Sequence, residues 1–324
     1  MSRSRRLRFA MPGIAALMLA TALAGCSGEP DGADSATGSG AAPAAAGASL
    51  PAADGEIVLP IDTYAFTFPQ MSQLDRARQT LVRDCMQRFG FTYPFDQARM
   101  EERERGLVLD FGVYGNKRRY GPTDAGDAGK YGYHSPSDIE IGRPKIDVAK
   151  EKENGSAAQQ MVLSGQGPDG KSAPDSVGGQ KIPEGGCVGE ADTKISPQNT
   201  LGESGPVSQI ARDSFDRSLA DPAVTAAFKE WSSCMSENGY NYPTPKEAGG
   251  DFKTDTRKAS AKEIAAAKAD VACKEKTGLI QAWQGFEVAY QNAQIERNAQ
   301  ALQTAKAERD AQLKRAAEIV AKGS

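Results

Sequence analysis

Residues 85–94 read CMQRFGFTYP, and residues 234–243, 149 positions further on, read CMSENGYNYP. Cys, Met, Gly, Tyr and Pro coincide, and an aromatic follows the glycine in both. What precedes each Cys-Met pair explains the repetition. In the second copy Asp221 stands where an N-cap belongs and Pro222 at the first helical position. Val224, Ala227, Phe228, Trp231, Cys234 and Met235 then recur at spacings of three and four, one apolar face of a helix that Gly239 would stop in a left-handed conformation. In the first copy Ser72 and Asp75 suggest a capping box, Leu74, Leu81, Val82, Cys85, Met86 and Phe89 form the stripe, and Gly90 ends it. Each cysteine is thereby placed on the buried face near a helix end, with a Tyr-Pro pair redirecting the chain. The fold class expected is mainly α.

The chain holds five cysteines, Cys26, Cys85, Cys187, Cys234 and Cys273. If Cys26 is used otherwise, four remain, an even number that in an oxidising compartment implies two disulfides with three possible connectivities. Cys273 lies in a second helix, SAKEIAAAKADVACKEKTG, opened by Ser260 and Glu263 as a capping box. Cys187 lies in IPEGGCVGEA, at the end of a long excursion. If the copies descend from one module, the pairs are Cys85–Cys187 and Cys234–Cys273; crossed pairings stay open at this stage. Neither copy has a nearby histidine and no Cys-x-x-Cys motif occurs, so a thiol catalyst is a poor reading.

The N-terminus gives an address. MSRSRRLRF carries four arginines and no acid, and an apolar run from Met11 to Ala24 follows, too short to span a bilayer but suited to a secretory signal. It ends in Leu23-Ala24-Gly25-Cys26, the form of a lipobox, in which the peptidase cuts before a cysteine that carries a diacylglyceryl group. The SRRLRF stretch also has the look of a twin-arginine export signal. Residues 26–55 are almost entirely small, polar or Pro, too poor in apolar surface to fold, and read as a tether. Without residues 1–25 the bases fall from 39 to 35 against 42 acids, so the net charge moves from −3 to about −7. Nucleic acid is a poor partner for such a chain, since its binding needs a clustered basic face.

Between Cys85 and Cys187 the chain is dense in Gly, Pro, Tyr and charge. FDQARMEERERG reads as a short helix from Asp96 to Gly106, and Tyr114, Arg118, Arg119, Tyr120, Tyr131 and Tyr133 follow within twenty residues. Tyrosines interleaved with arginines can stack on sugar rings and pair with acidic groups, so these six are the candidate ligand-binding residues; the plainer reading is a loop pinned by half-buried tyrosines. GQGPDGKS (Gly165–Ser172) has the spacing of a phosphate-binding P-loop, but Pro174 and paired glycines follow where that motif needs a helix, so no nucleotide is expected. His134 is the only histidine, which leaves no zinc set, and Ser135 and Asp138 beside it do not make a triad by adjacency alone. DAGDAG lacks the alternating ligands of a calcium loop. No cofactor and no metal are expected.

From Leu279 the residues Trp283, Phe286 and Tyr290 bury a firm helical stripe. Beyond Ile295 apolar residues thin to Leu302, Leu313, Ile319 and Val320 amid strong helix formers, which predicts a long polar helix projecting from the domain, with a/d spacing too sparse for a firm coiled coil.

Taken together, the lipobox, the two CM…G[FY]…YP segments, RRYGPTDAGDAGKYGYH, IPEGGCVGEA and ADVACKEKTGLIQAW…EVAYQ resemble a family of uncharacterised extracytoplasmic lipoproteins of high-GC Gram-positive bacteria, over most of residues 60–300. The resemblance implies an envelope address and a disulfide scaffold but no reaction. The expected organisation is a signal over 1–25, a tether over 26–55, a first helical module with the irregular excursion over 56–200, a second helical module over 201–295, and a polar helix over 296–324. The expected role is a non-catalytic envelope lipoprotein, anchored to the extracytoplasmic membrane face through Cys26 and binding a cell-wall polymer or an envelope protein through the Tyr/Arg-rich excursion or the C-terminal helix. A transporter's solute-binding lipoprotein would need two α/β lobes, and a cell-wall hydrolase would need paired carboxylates across a cleft, for which Glu101, Glu102 and Glu104 are the nearest material.

Overall fold

The computed structural model describes residues 56–142, 156–198, 200–202 and 205–323; the signal over 1–25, Cys26 and the tether over 26–55 lie outside them. Eleven α-helices occur among the described residues. They are α1 (Phe68–Arg88), α2 (Gln97–Phe111), α3 (Ala125–Tyr131), α4 (Pro136–Glu140), α5 (Ala157–Ser164), α6 (Gly186–Ile195), α7 (Pro206–Ser218), α8 (Pro222–Glu237), α9 (Ala261–Lys276), α10 (Leu279–Arg297) and α11 (Ala299–Lys322). The described strands are β1 (Ser176–Val177) and β2 (Gln180–Lys181), an antiparallel hairpin between α5 and α6. The fold is mainly α.

Both disulfides join the pairs that the repeat favours. Cys85 on α1 bonds Cys187 at the start of α6, with Cα atoms 5.6 Å apart, and Cys234 on α8 bonds Cys273 on α9, at 5.7 Å. The repeated residues themselves build one C-terminal cap twice. Gly90, at φ +76°, donates its N–H to the Gln87 carbonyl while Phe91 donates to Met86; Gly239, at φ +84°, donates to Ser236 while Tyr240 donates to Met235. This is the Schellman pattern, in which only a left-handed residue lets two successive N–H groups reach back to orphan carbonyls. The aromatic after each glycine packs beside the same methionine, closing the cap with apolar contact.

Several boundaries differ from expectation. Helix α1 starts earlier, because Thr67 and Gln70 form the capping box and a proline occupies the first turn; Ser72 and Asp75 are interior. Asp96 caps α2 as expected, but the helix passes through Gly106 to Phe111 and stops at Gly112, at φ +78°. Gly106 stays helical where a Cβ would sit 3.5 Å from that of Ser137, so it serves close approach of α4 rather than termination. The excursion is more regular than expected: Asp124 caps α3 by accepting from the Asp127 N–H, and Ser156 caps α5.

The two repeat copies do not stand apart, since residues 45–324 make up one compact unit. The largest core surrounds Trp231 and Trp283, both almost fully buried, with Val224, Phe228 and Leu279 of the second copy. Ile57 and Leu59, from the first residues described, belong to this core, and so does Tyr120 of the excursion. Burying each indole is worth roughly 4–6 kcal/mol as an upper bound. A smaller core of Val82, Met86, Val162, Ile182 and Ala191 surrounds the first disulfide. The helix expected to project does not: α10 breaks at Asn298, and α11 turns back to pack along α1, α6 and α7. Ala316 meets Leu74, Ala77 and Ile195, while Leu302 meets Ile61, Val207 and Ile210. Leu313, Ile319 and Val320 add to the same face, and Gln312 crosses it with an amide that donates to the Thr200 carbonyl and accepts from the Gly202 N–H, so the sparse apolar residues of α11 are all used.

Candidate ligand cleft

The excursion crosses the second copy between Asn116 and His134, and a cleft of about 360 Å³ opens at that crossing. Arg118, Arg119, Tyr120 and Tyr133 line it together with Phe215 of α7, Trp283 of α10, and Pro245 and Lys246 of the loop after α8. Four of the six candidate residues therefore converge. The other two do not: Tyr131 is buried with its hydroxyl on Glu140, and Tyr114 lies exposed elsewhere, at the end of α2.

Convergence does not make all four available to a ligand. Tyr120 is buried, its ring 4.8 Å from that of Trp283 and its hydroxyl donating to Glu287 at 2.9 Å. Tyr133 stacks on Phe252 and points its hydroxyl at Asp270. Burial pushes both phenols up, and the carboxylates of Glu287 and Asp270 push the same way. The expectation that Tyr120 and Tyr131 stack on sugar therefore fails, because a tyrosine has an apolar body and a polar tip and the inter-helix seam satisfies both.

Arg119 forms the floor. Its Nε lies 2.9 Å from one oxygen of fully buried Glu287, which also accepts from Ser214 Oγ at 2.8 Å, and its Nη2 donates to the Ala211 carbonyl. Burial pushes this guanidinium down, and the bond to Glu287 more than reverses it. Phe215 lies against its face, with the guanidinium carbon 5.0 Å from the ring centre. Arg118 is different. Its donors meet carbonyls, at 2.5 Å to His134 and 3.1 Å to Tyr133, and burial pushes it down while Asp110, Asp127 and Glu263 oppose that through space. A guanidinium keeps its charge even so. The cleft thus has a cation bound to neutral partners in its wall and exposed Lys246 at its mouth.

Beneath the cleft lies a second buried pair. Lys274 donates to Asp270 at 3.0 Å and to the Pro122 carbonyl at 2.9 Å, and Asp270 also accepts from the Trp231 indole. Burial pushes the Asp270 carboxyl up and the Lys274 ammonium down, each resisted by the other's charge. Gly121, at φ +76°, lies over this ammonium, where a Cβ would approach Nζ to 3.0 Å. His134 is a strut: fully buried, it lies 2.7 Å from Glu263 and 2.9 Å from Thr256 through its two ring nitrogens, tying the excursion to α9. Ser135 and Asp138 make no triad with it, since both ring nitrogens are engaged elsewhere.

Sequence reading missed Glu287, Asp270 and Lys274. Glu287 could have been found: it falls four residues after Trp283, inside an apolar stripe where a charge needs a buried partner. Among the described residues no group of three or more His, Cys, Asp or Glu side chains is placed to hold a metal ion, and no helix is long and apolar enough to cross a membrane. The P-loop-like segment has a packing explanation. Gly165 ends α5 in a left-handed conformation against Gly186, where a Cβ would fall 2.5 Å from the Gly165 nitrogen, and a tight turn closed from Gly167 N–H to the Lys171 carbonyl replaces the phosphate-binding helix. On α2, Glu101 and Glu102 are exposed and Glu104 pairs with Arg76 at 2.9 Å, an ordinary solvated face. No family model matches the chain, and comparison with curated proteins and with solved structures yields no match.

Proposed function

We propose that the chain is a non-catalytic lipoprotein of the cell envelope, held at the extracytoplasmic face through Cys26, that binds an anionic saccharide or cell-wall polymer in the cleft between the excursion and the second copy. The observation that carries this reading is Arg118, charged and bonded to carbonyls rather than carboxylates, beside the partly exposed ring of Phe215 with Lys246 at the mouth. Cations beside a partly exposed aromatic ring suit acidic sugars, which present carboxylates or phosphates on apolar ring faces. Two disulfides support an oxidising compartment. The runner-up readings have less behind them: strands are confined to one short hairpin among the described residues, and the α2 carboxylates face solvent.

The test is sedimentation with washed cell wall and with purified anionic wall glycopolymer. Lys246 is exposed, so Lys246→Glu should fold normally and weaken retention several-fold, more at low salt than at high. Retention unchanged by Lys246→Glu would refute the cleft as the site.

A further inference from the structure

We infer that the chain carries a second membrane contact of its own, an apolar face around Met71, Phe111, Val113 and Tyr114 that rests in the interface of an anionic lipid bilayer. These four are the large hydrophobic side chains that stay exposed among the described residues, at 37–46%. They come from two places in sequence. The Phe68 N–H donates to the Val113 carbonyl at 3.0 Å, and the Phe68 and Phe111 rings lie 6.1 Å apart, so the first turn of α1 and the end of α2 share a face. A groove of about 610 Å³ extends that face between Met71 and Met100, lined also by Arg103, by Asp75 and by the Arg78–Asp192 pair. Isolated exposed hydrophobics need no explanation, but a contiguous set including a tyrosine and flanked by a cation fits a bilayer interface.

The end of the described chain points to the bilayer as occupant. Glu56, the first residue described, is clipped to this same face: its carboxylate accepts the Val113 N–H at 2.9 Å and the Tyr114 N–H at 2.5 Å. The clip is close enough that Gly112 has no room for a Cβ, which would meet the Glu56 carboxylate at 2.5 Å. The chain toward Cys26 therefore leaves the domain at the apolar face. About 30 residues separate Cys26 from Glu56, a reach of at most roughly 100 Å when fully extended. A lipid on Cys26 would hold this face near the membrane at an effective concentration on the order of millimolar, where a weak contact suffices. The geometry rests on the lipid-anchor reading; the face itself does not.

The test uses the mature chain without its lipidated residue, Ser27–Ser324, which retains every described residue, floated with phosphatidylglycerol vesicles. The chain should float, and Met71→Asp with Val113→Asp should lower its partition at least about 10-fold with an unchanged unfolding midpoint. Lys246→Glu should float like the parent, so failure of the cleft and failure of this face are distinguishable, and intact mass of membrane-extracted protein tests the anchor separately. Absence of flotation by the parent chain, or equal flotation by the double variant, would overturn the inference. Self-association in sedimentation velocity that the double variant abolishes, without vesicle binding, would assign the face to a second copy and overturn it as well.

Discussion

Removing Glu287 should destabilise this domain more than removing any exposed ion pair, and removing its partner as well should restore much of the loss. Glu287 is fully buried and accepts from Arg119, Tyr120 and Ser214. Glu287→Leu leaves a guanidinium with only the Ala211 carbonyl and the Phe215 face, plus two hydroxyls without their acceptor. Breaking a buried pair from one side costs about 3–5 kcal/mol. Arg119→Met leaves a buried carboxylate with two neutral donors and should cost a similar amount. Additive effects would then sum to about 6–10 kcal/mol. The double variant removes both charges and leaves only the hydroxyls, so its cost should fall to about 2–4 kcal/mol. The expected coupling is thus at least about 2 kcal/mol, well above the roughly 0.5 kcal/mol that separates independent sites from interacting ones. Urea unfolding of the four proteins with disulfides intact, followed by the fluorescence of Trp283 beside Tyr120, measures it directly. Additive losses would show that Arg119 and Glu287 do not act as a unit, and the account of the cleft floor would be wrong.

Other outcomes follow from the same geometry. Burial pushes the Asp62 carboxyl up from 3.8 to about 6, against the Leu59 N–H and the Arg119 charge. A folded-state value above the unfolded one gives stability that is full below pH 4 and lost as pH rises through 6, at most about 3 kcal/mol; Asp62→Asn should flatten that slope in urea midpoints taken from pH 4 to 7. The Cys85–Cys187 bridge closes a separation of 102 residues and Cys234–Cys273 one of 39, so loop entropy makes the first worth about 1 kcal/mol more, about 4.7 against 3.9. Paired Cys→Ala variants test this by chemical unfolding, and the reverse order would mean that packing around Trp231, not chain entropy, decides. Gly239→Ala meets no atom within 4 Å and should cost only about 1–2 kcal/mol for its positive φ, whereas Gly186→Ala adds a collision with Gly165 and Leu163 and should cost well over 3. Equal thermal shifts for the two would contradict the proposed glycine packing.

What the sequence disclosed, and what it hid, follows from locality. Asp221, Pro222, Ser260, Glu263, Gly90 and Gly239 act within their own helix turns, so their caps were legible and all formed. Gly106 was misread because a glycine looks the same whether it stops a helix or admits a neighbour, and Ser137 lies about thirty residues away. The tyrosines and arginines of the excursion stand out in the sequence as a group. Their fate was not legible, since Glu287 and Asp270, which hold Tyr120 and Tyr133, come from helices more than 130 residues later. Helix α11 was misjudged because Leu302, Leu313, Ile319 and Val320 were visible in the sequence while the residues that cover them, Ile61, Leu74, Ile195 and Val207, come from distant segments.

The return of α11 to α1 sets the order in which this chain can mature. Gln73 of α1 donates to the Leu313 carbonyl across 240 residues, and Arg309 binds the carbonyls of Thr63 and Ala65 across 246 and 244. During synthesis α1 emerges early, and although Ile195 and Leu201 reach Leu74 and Ala77 from the middle of the chain, their cover is completed only by Ala316, Leu313 and Ile319 of α11. Contacts of such range form late and slowly. A product that stops before residue 299 leaves part of that face uncovered and more open to proteolysis than the chain that carries α11.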